Sequence, residues 1–292
     1  MMIRPGMFLL FFASTILGRG GAVAEEPAST GKPLRAGIIG LDTSHAPAFT
    51  ALLNGPKAKG ELAGVRIVAA YPGGSPDIPS SRDRVAGYTS ELRDKHGVEI
   101  VDSIEALLDK VDVVFLESVD GRPHLDQVRP VLAAKKPVFI DKPVAGTLAD
   151  AIAIYELAKE SGTPVFSSSS LRFSPGIAAM RTGNDKIGEV VGCAAYGPCE
   201  LEEHHPDLYW YGIHGVETLF TIMGPGCESV SRVQTPGAEL VAGVWKGGRI
   251  GTFRGLRQGA KGYGATVFGS KGIAPSGGYS GYEPLVVEIC KF

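Results

Sequence analysis

Cysteine, tryptophan and methionine are scarce, at four, two and five among 292 residues. Cys193 and Cys199 have the parity to share one strand face while Cys227 and Cys290 lie far off, so a disulfide is allowed in an oxidising compartment but no pairing is defined. An excess of one charge is missing too. Lysine and arginine number 29 against 31 aspartates and glutamates, a net of −2 without a basic stripe, which argues against a nucleic-acid partner. The apolar run from Met7 to Leu17 is too short for a durable membrane span. There is no internal repeat and no heptad pattern; the 40 glycines gather in turns such as Gly247-Gly248 and Gly277-Gly278.

What is present begins with a leader. Arg4, the run Met7 to Leu17 and Ala22-Val23-Ala24 before Glu25 read as a signal peptide over residues 1–24, followed by a flexible lead-in over 25–33. Its removal takes Arg4 and Arg19 away and moves the formal charge from −2 to −4. Without a twin arginine, export as an unfolded chain to a periplasmic or extracellular location is expected, and an unfolded chain carries no cofactor across. The remaining length suits two domains of about 100 to 150 residues each.

From Leu34 onward, strand and helix patterns alternate, the mark of a parallel sheet covered by helices on both faces. Strands are expected over Leu34 to Gly40, Val65 to Ala70, Val111 to Leu116, Pro137 to Ile140 and from Val165. Helices begin near Pro47, Ser103, Pro123 and Thr147. The predicted fold class is α/β: a doubly wound, Rossmann-like sheet over residues 34–168, then an α+β domain over 169–292 with an open, mostly antiparallel sheet. The run Val138-Phe139-Ile140-Asp141-Lys142-Pro143 carries most information. A parallel strand delivers its carboxyl end to the ligand crevice, so Lys142 arrives where it can give a proton or hydrogen bond to a substrate oxygen.

The strand-end triplet Asp141-Lys142-Pro143, the Glu117-Ser118 strand end followed by His124, and Arg172-Phe173-Ser174-Pro175 leading to Ile187-Gly188-Glu189-Val190 together resemble the Gfo/Idh/MocA oxidoreductase family. His214, in Tyr211-Gly212-Ile213-His214-Gly215, fits the family's helix histidine. The resemblance covers nearly the whole mature chain. It implies a nicotinamide cofactor, NAD or NADP, a sugar or polyol substrate, and Lys142 and His214 as the catalytic pair. It also implies cofactor contacts at Gly40, Asp42, Thr43, Ser44, His45, Glu117, Ser118, His124 and Asp141.

This chain departs from the family pattern in two places. A dinucleotide turn needs three glycines, and Gly40-Leu41-Asp42-Thr43-Ser44-His45 keeps only the first. Asp42 stands in the second glycine's place, where its bulk and charge oppose a diphosphate; the second strand ends in Ala70-Tyr71-Pro72-Gly73 without an acid for a ribose hydroxyl, although Asp77 follows. One helical turn before His214 the family carries aspartate, and this chain has Trp210, which either stacks on a sugar or packs between the domains. Asp207 lies seven residues before His214.

The segment Glu202 to Tyr211 concentrates polar and aromatic groups, and three of the six histidines lie between 204 and 214. His205, Asp207, Trp210 and Tyr211 are the candidate substrate contacts. A metal held by His204 or His205 with Glu203, Asp207 or His214 is the competing reading, but the spacing matches no ligand pattern, and no metal is assigned.

In the second half, strands are expected at Val190 to Tyr196, Ser229 to Val233, Ala238 to Trp245, Arg249 to Arg254, Gly264 to Gly269 and finally Leu285 to Ile289. The last is where relatives usually continue with a segment packing back on the first domain, so a shortened member or a fragment is expected. An exposed sheet face makes a homo-oligomer the expected assembly. The functional expectation is a sugar or polyol oxidoreductase. The alternatives are a redox-inactive exported protein that binds carbohydrate or metal, and a glycosidase using a retained nicotinamide.

Overall fold

The computed structural model describes residues 31–181 and 183–292; the leader and residues 25–30 of the lead-in lie outside the described residues. Six strands, β1 (Leu34–Ile39), β2 (Val65–Tyr71), β3 (Glu99–Ile100), β4 (Val113–Leu116), β5 (Val138–Ile140) and β6 (Val165–Ser167), form one sheet in the order β3-β2-β1-β4-β5-β6. Every pairing is parallel. Such strands are buried on both faces, which is why β4 and β5 read as unbroken apolar runs. Helices α1 (His45–Asn54) and α2 (Pro79–His96) lie on one face, α3 (Ile104–Leu108), α4 (His124–Ala133) and α5 (Leu148–Ser161) on the other. The Ser103 and Thr147 side chains cap α3 and α5 through the amides of Ala106 and Asp150, each at 3.1 Å.

After the short α6 (Pro175–Ala178) a second sheet is built from β7 (Val190–Pro198), β8 (Cys227–Thr235), β9 (Ala238–Trp245), β10 (Ile250–Leu256), β11 (Gly264–Gly269) and β12 (Ile273–Pro275), in the order β12-β11-β7-β10-β9-β8. It is antiparallel except where β7 meets β10. Helix α7 (Ile213–Met223) packs Leu219, Ile222 and Met223 against Trp245, Phe253 and Val267 on its inner face. Gly215 permits this approach, because a Cβ there would lie 2.0 Å from the Phe253 ring. The outer face leaves Val233, Leu240, Val244 and Ile250 exposed. All four cysteines are free, with Cys193 and Cys199 buried.

Two helices differ most from the sequence reading, which also gave no strand at β3 or β12. Leu285 to Ile289 is helix α8 (Glu283–Lys291), not a strand: Leu285, Val286 and Ile289 repeat at helical spacing and enter the core beside Phe115 and Phe139 of the first sheet. Pro284 in the first turn and Lys291 in the last suit a helix, and the β-branched Val286-Val287 pair misleads. The segment that packs back on the first domain is therefore this one. Helix α2 was not legible at all, since only Ser81 and Leu92 of its 18 residues are buried and no apolar stripe marks it.

Candidate active site

The strand order reverses between β1 and β4, so the ligand crevice opens at their carboxyl ends. Gly40 sits there with φ +93, and a Cβ on it would lie 2.3 Å from the Ser118 amide nitrogen, so no other residue fits. Beside it a cavity of about 220 Å³ lies between the two sheets. Thr43, Ser44 and His45 reach it from the start of α1, Lys142 from the end of β5, and Trp210, Tyr211 and His214 from the second domain.

Lys142 projects its ammonium over the Tyr211 ring, 5.6 Å from the centroid. Burial pulls its pKa down from the ordinary lysine value, opposed in part by Asp141. The His214 Nδ1 pairs with Ser169 Oγ at 2.7 Å. Burial, together with the nearby Lys142 and His45, pushes the His214 imidazole well below its ordinary value, so at neutral pH it is uncharged. One turn along α7, Glu217 accepts from the Ser169 amide at 2.7 Å, Ser168 Oγ at 2.8 Å and Arg172 Nε at 2.7 Å. That carboxylate fixes the serine that orients His214.

The remaining candidates divide between the cavity's supports and its surroundings. Asp141 pairs with His45 and lies behind it. His124 bonds the Ser118 and Val144 carbonyls at 2.8 and 3.3 Å, tying the loops after β4 and β5. Glu117 is fully buried with neither carboxyl oxygen partnered among the described residues, and burial with Asp141 and Asp42 nearby pushes its pKa well above the ordinary glutamate value. Asp207 turns away to pair with Arg232 at 3.1 Å. His205 does not line the cavity; its ring centroid is 4.9 Å from that of Trp210. Tyr263, Tyr279 and Tyr282 also line the cavity and were missed by sequence reasoning. Their only signal was tyrosine set among glycines in the last third of the chain.

A nicotinamide dinucleotide does not fit these residues. The β2 and β4 ends flank β1 on opposite sides, so any bond between their loops crosses the turn where the diphosphate would lie. Ser75 Oγ donates to Asp120 Oδ2 at 2.6 Å, and Arg122 forks onto Asp77 at 2.9 Å through two nitrogens. Asp42 adds a third tie: buried, it accepts from the Val119 amide at 3.0 Å and from Ser81 Oγ at 2.6 Å. Asp42 is thus not a bare charge facing phosphate, as the sequence suggested, but a strut closing the turn.

His205 carries the second domain onto this roof. Its Nδ1 lies 2.8 Å from Glu202 and its Nε2 3.2 Å from Asp120 and 3.1 Å from the Gly121 amide. Burial alone would lower its pKa; the bonds to Asp120 and Glu202 outweigh it and hold the ring above the ordinary imidazole value. A raised folded pKa stabilises below the unfolded value of about 6.5 and is lost as pH rises through the folded one. Asp120 and Glu202, both held below the carboxylate range, would be lost only in acid. Hydrogen exchange at residues 202–206, corrected for intrinsic rate, is expected to quicken between pH 6 and pH 9, and His205→Gln to abolish that dependence. Among the described residues Glu202, Glu203 and His204 also bring donor atoms within 4.8 Å of one another, but His204 is already bonded to Glu202 at 2.7 Å and faces Asp77 at 3.4 Å.

A 3-2-1-4-5-6 parallel sheet joined to an open mixed sheet, with a strand-end lysine and a helix histidine lining one cavity, defines an α/β protein of the Rossmann type. Residues 34–169 match the Gfo/Idh/MocA oxidoreductase family with the NAD-binding Rossmann fold. No curated protein matches the chain. Among solved structures it is similar in fold to myo-inositol 2-dehydrogenase from Lactobacillus plantarum, with TM-score 0.68 at 18% identity over 84% of this chain and 76% of that one. It is likewise similar to scyllo-inositol dehydrogenase from Lactobacillus casei with bound NAD(H) and scyllo-inositol, with TM-score 0.67 at 16% identity over 84% and 76% of the two chains. Among the described residues no helix is long and apolar enough to cross a membrane.

Proposed function

We propose that this protein binds a sugar or polyol in the cavity between its two sheets and transfers a proton at one of the ligand's oxygens. The observation that carries this reading is the meeting of Lys142 and His214 in one cavity with Tyr211 and Tyr263 beside them. Lys142 supplies the positive donor, and the neutral His214, oriented by Ser169, supplies a ring nitrogen. Tyrosine hydroxyls and the Trp210 and Tyr211 rings offer the mixed polar and aromatic surface that a ring of hydroxyls needs. Support from relatives is at the level of class: two structures similar in fold are inositol dehydrogenases. Export, and self-association through the outer face bearing Val233, Leu240, Val244 and Ile250, complete the proposal.

Nicotinamide-dependent oxidation of the same ligand is the second reading, favoured by the presence of both Lys142 and His214. The ties over the β1 turn oppose it. Full-length protein, purified and denatured, is expected to release no nicotinamide dinucleotide detectable by mass spectrometry, while calorimetry with myo-inositol and scyllo-inositol shows binding. Stoichiometric release of a dinucleotide would select the second reading, and absence of heat with either polyol would sink the first.

A further inference from the structure

Where a dinucleotide turn carries its third glycine, this chain carries His45, and the ring is held from three sides. Its Nδ1 meets Asp141 Oδ2 at 2.5 Å. One face stacks on Phe49 at 5.3 Å and 9°, and Tyr282 stands edge-on at 4.7 Å. Asp141 is itself fixed, since its other oxygen accepts the Lys142 amide at 2.7 Å. Burial alone would raise the Asp141 pKa, but His45 and Lys142 hold it below the ordinary aspartate value, so it is an anion. An anionic acceptor at Nδ1 selects the tautomer with its proton there, so the neutral form of the ring carries its lone pair on Nε2, and that ring lines the cavity. A lone packing histidine needs no buried carboxylate, whereas an imidazole oriented by one is the arrangement of a general base.

We propose that His45 and Asp141 form an acid–base dyad that gives this site a redox-neutral activity, the exchange of a proton on the carbon beside the carbonyl of a sugar or cyclitol ketone. This inference rests on the reading of the cavity as a sugar site. The C–H bond breaks as Nε2 takes the proton, and the electron pair forms the C=C bond of an enolate whose oxygen is met by Lys142 Nζ. Return of that proton, or of one from solvent, restores the ketone or its epimer. Nothing is oxidised, so no dinucleotide is required. His45 is the catalytic residue here and Asp141 the positioning residue.

The test uses the full chain in D2O with two probes, the ketone of myo-inositol and D-fructose. Loss of the proton signal beside the carbonyl is followed by NMR, and binding of each probe is measured by calorimetry. Wild type is expected to exchange one of them well above the buffer rate. His45→Gln should slow exchange about 100-fold with affinity kept within about threefold, the span of a lost general base. Asp141→Asn should slow it at least about tenfold and shift the His45 nitrogen resonances away from the Nδ1–H tautomer seen in wild type. Binding without exchange, exchange unchanged in His45→Gln, or a wild-type ring unprotonated at Nδ1 would each overturn the dyad and leave the sugar site standing. Absence of binding as well would overturn both.

Discussion

Lys142→Ala is expected to lower turnover of the sugar or polyol ligand by about 100- to 1,000-fold while the protein stays folded, the loss usual when one donor to a developing oxyanion is removed. Lys142 is partly open to the cavity; its ammonium lies over the Tyr211 ring and among the described residues forms no hydrogen bond or ion pair. Asp141, which loses a neighbouring charge, still keeps His45 and the backbone amide of residue 142. Thermal melting should therefore move by only a few degrees, the shift that about 1 kcal/mol produces in a chain of this size. The measurement is turnover beside a melting curve. A variant that fails to fold, or that turns over like wild type, would remove Lys142 from the chemistry.

Asp42→Gly is expected to raise nicotinamide dinucleotide affinity at least tenfold and to lower stability at the same time. Both effects follow from one strut. Removing the carboxylate opens the β1 turn and takes a negative group from beside the diphosphate's path; at an intermediate dielectric two close charges repel by a few kcal/mol, and every 1.4 kcal/mol is tenfold in affinity. It also leaves the Val119 amide and Ser81 hydroxyl without their acceptor, at about 1–3 kcal/mol for a buried donor. Burial holds the Asp42 pKa above the ordinary aspartate value despite those two bonds, so part of the gain comes from the space opened and not from charge alone. Titration calorimetry with NAD and NADP beside a denaturant curve reads both. Unchanged affinity would show that the ties from Ser75 and Arg122, not Asp42, close the turn.

Much of the first domain was legible because β4 and β5 are unbroken apolar runs, β1 and β2 are broken only by one arginine each, and each of α1, α3, α4 and α5 opens near a proline or capping residue. Helix α2 was not, because it buries almost nothing, and α8 was not, because its valines favour strand. In the site, Lys142, His45, Trp210, Tyr211 and His214 line one cavity, although the sequence reading divided them among catalysis, cofactor and substrate. His205 and Asp207, in the same polar segment, do not join them. Their partners, Asp120 at 3.2 Å and Arg232 at 3.1 Å, lie 85 and 25 positions away, beyond any local pattern.

By itself the sequence determined the periodicities of the parallel sheet, the glycine that must sit at Gly40, the strand end that carries Lys142 and the loss of two turn glycines. These are local properties, set by backbone geometry and by which residues can be buried. Only the tertiary structure decided what took the place of those glycines. Asp42 became a strut and His45 the partner of Asp141, because a side chain's role depends on which distant groups the packed sheets bring within hydrogen-bond distance, and 96 residues separate His45 from its carboxylate.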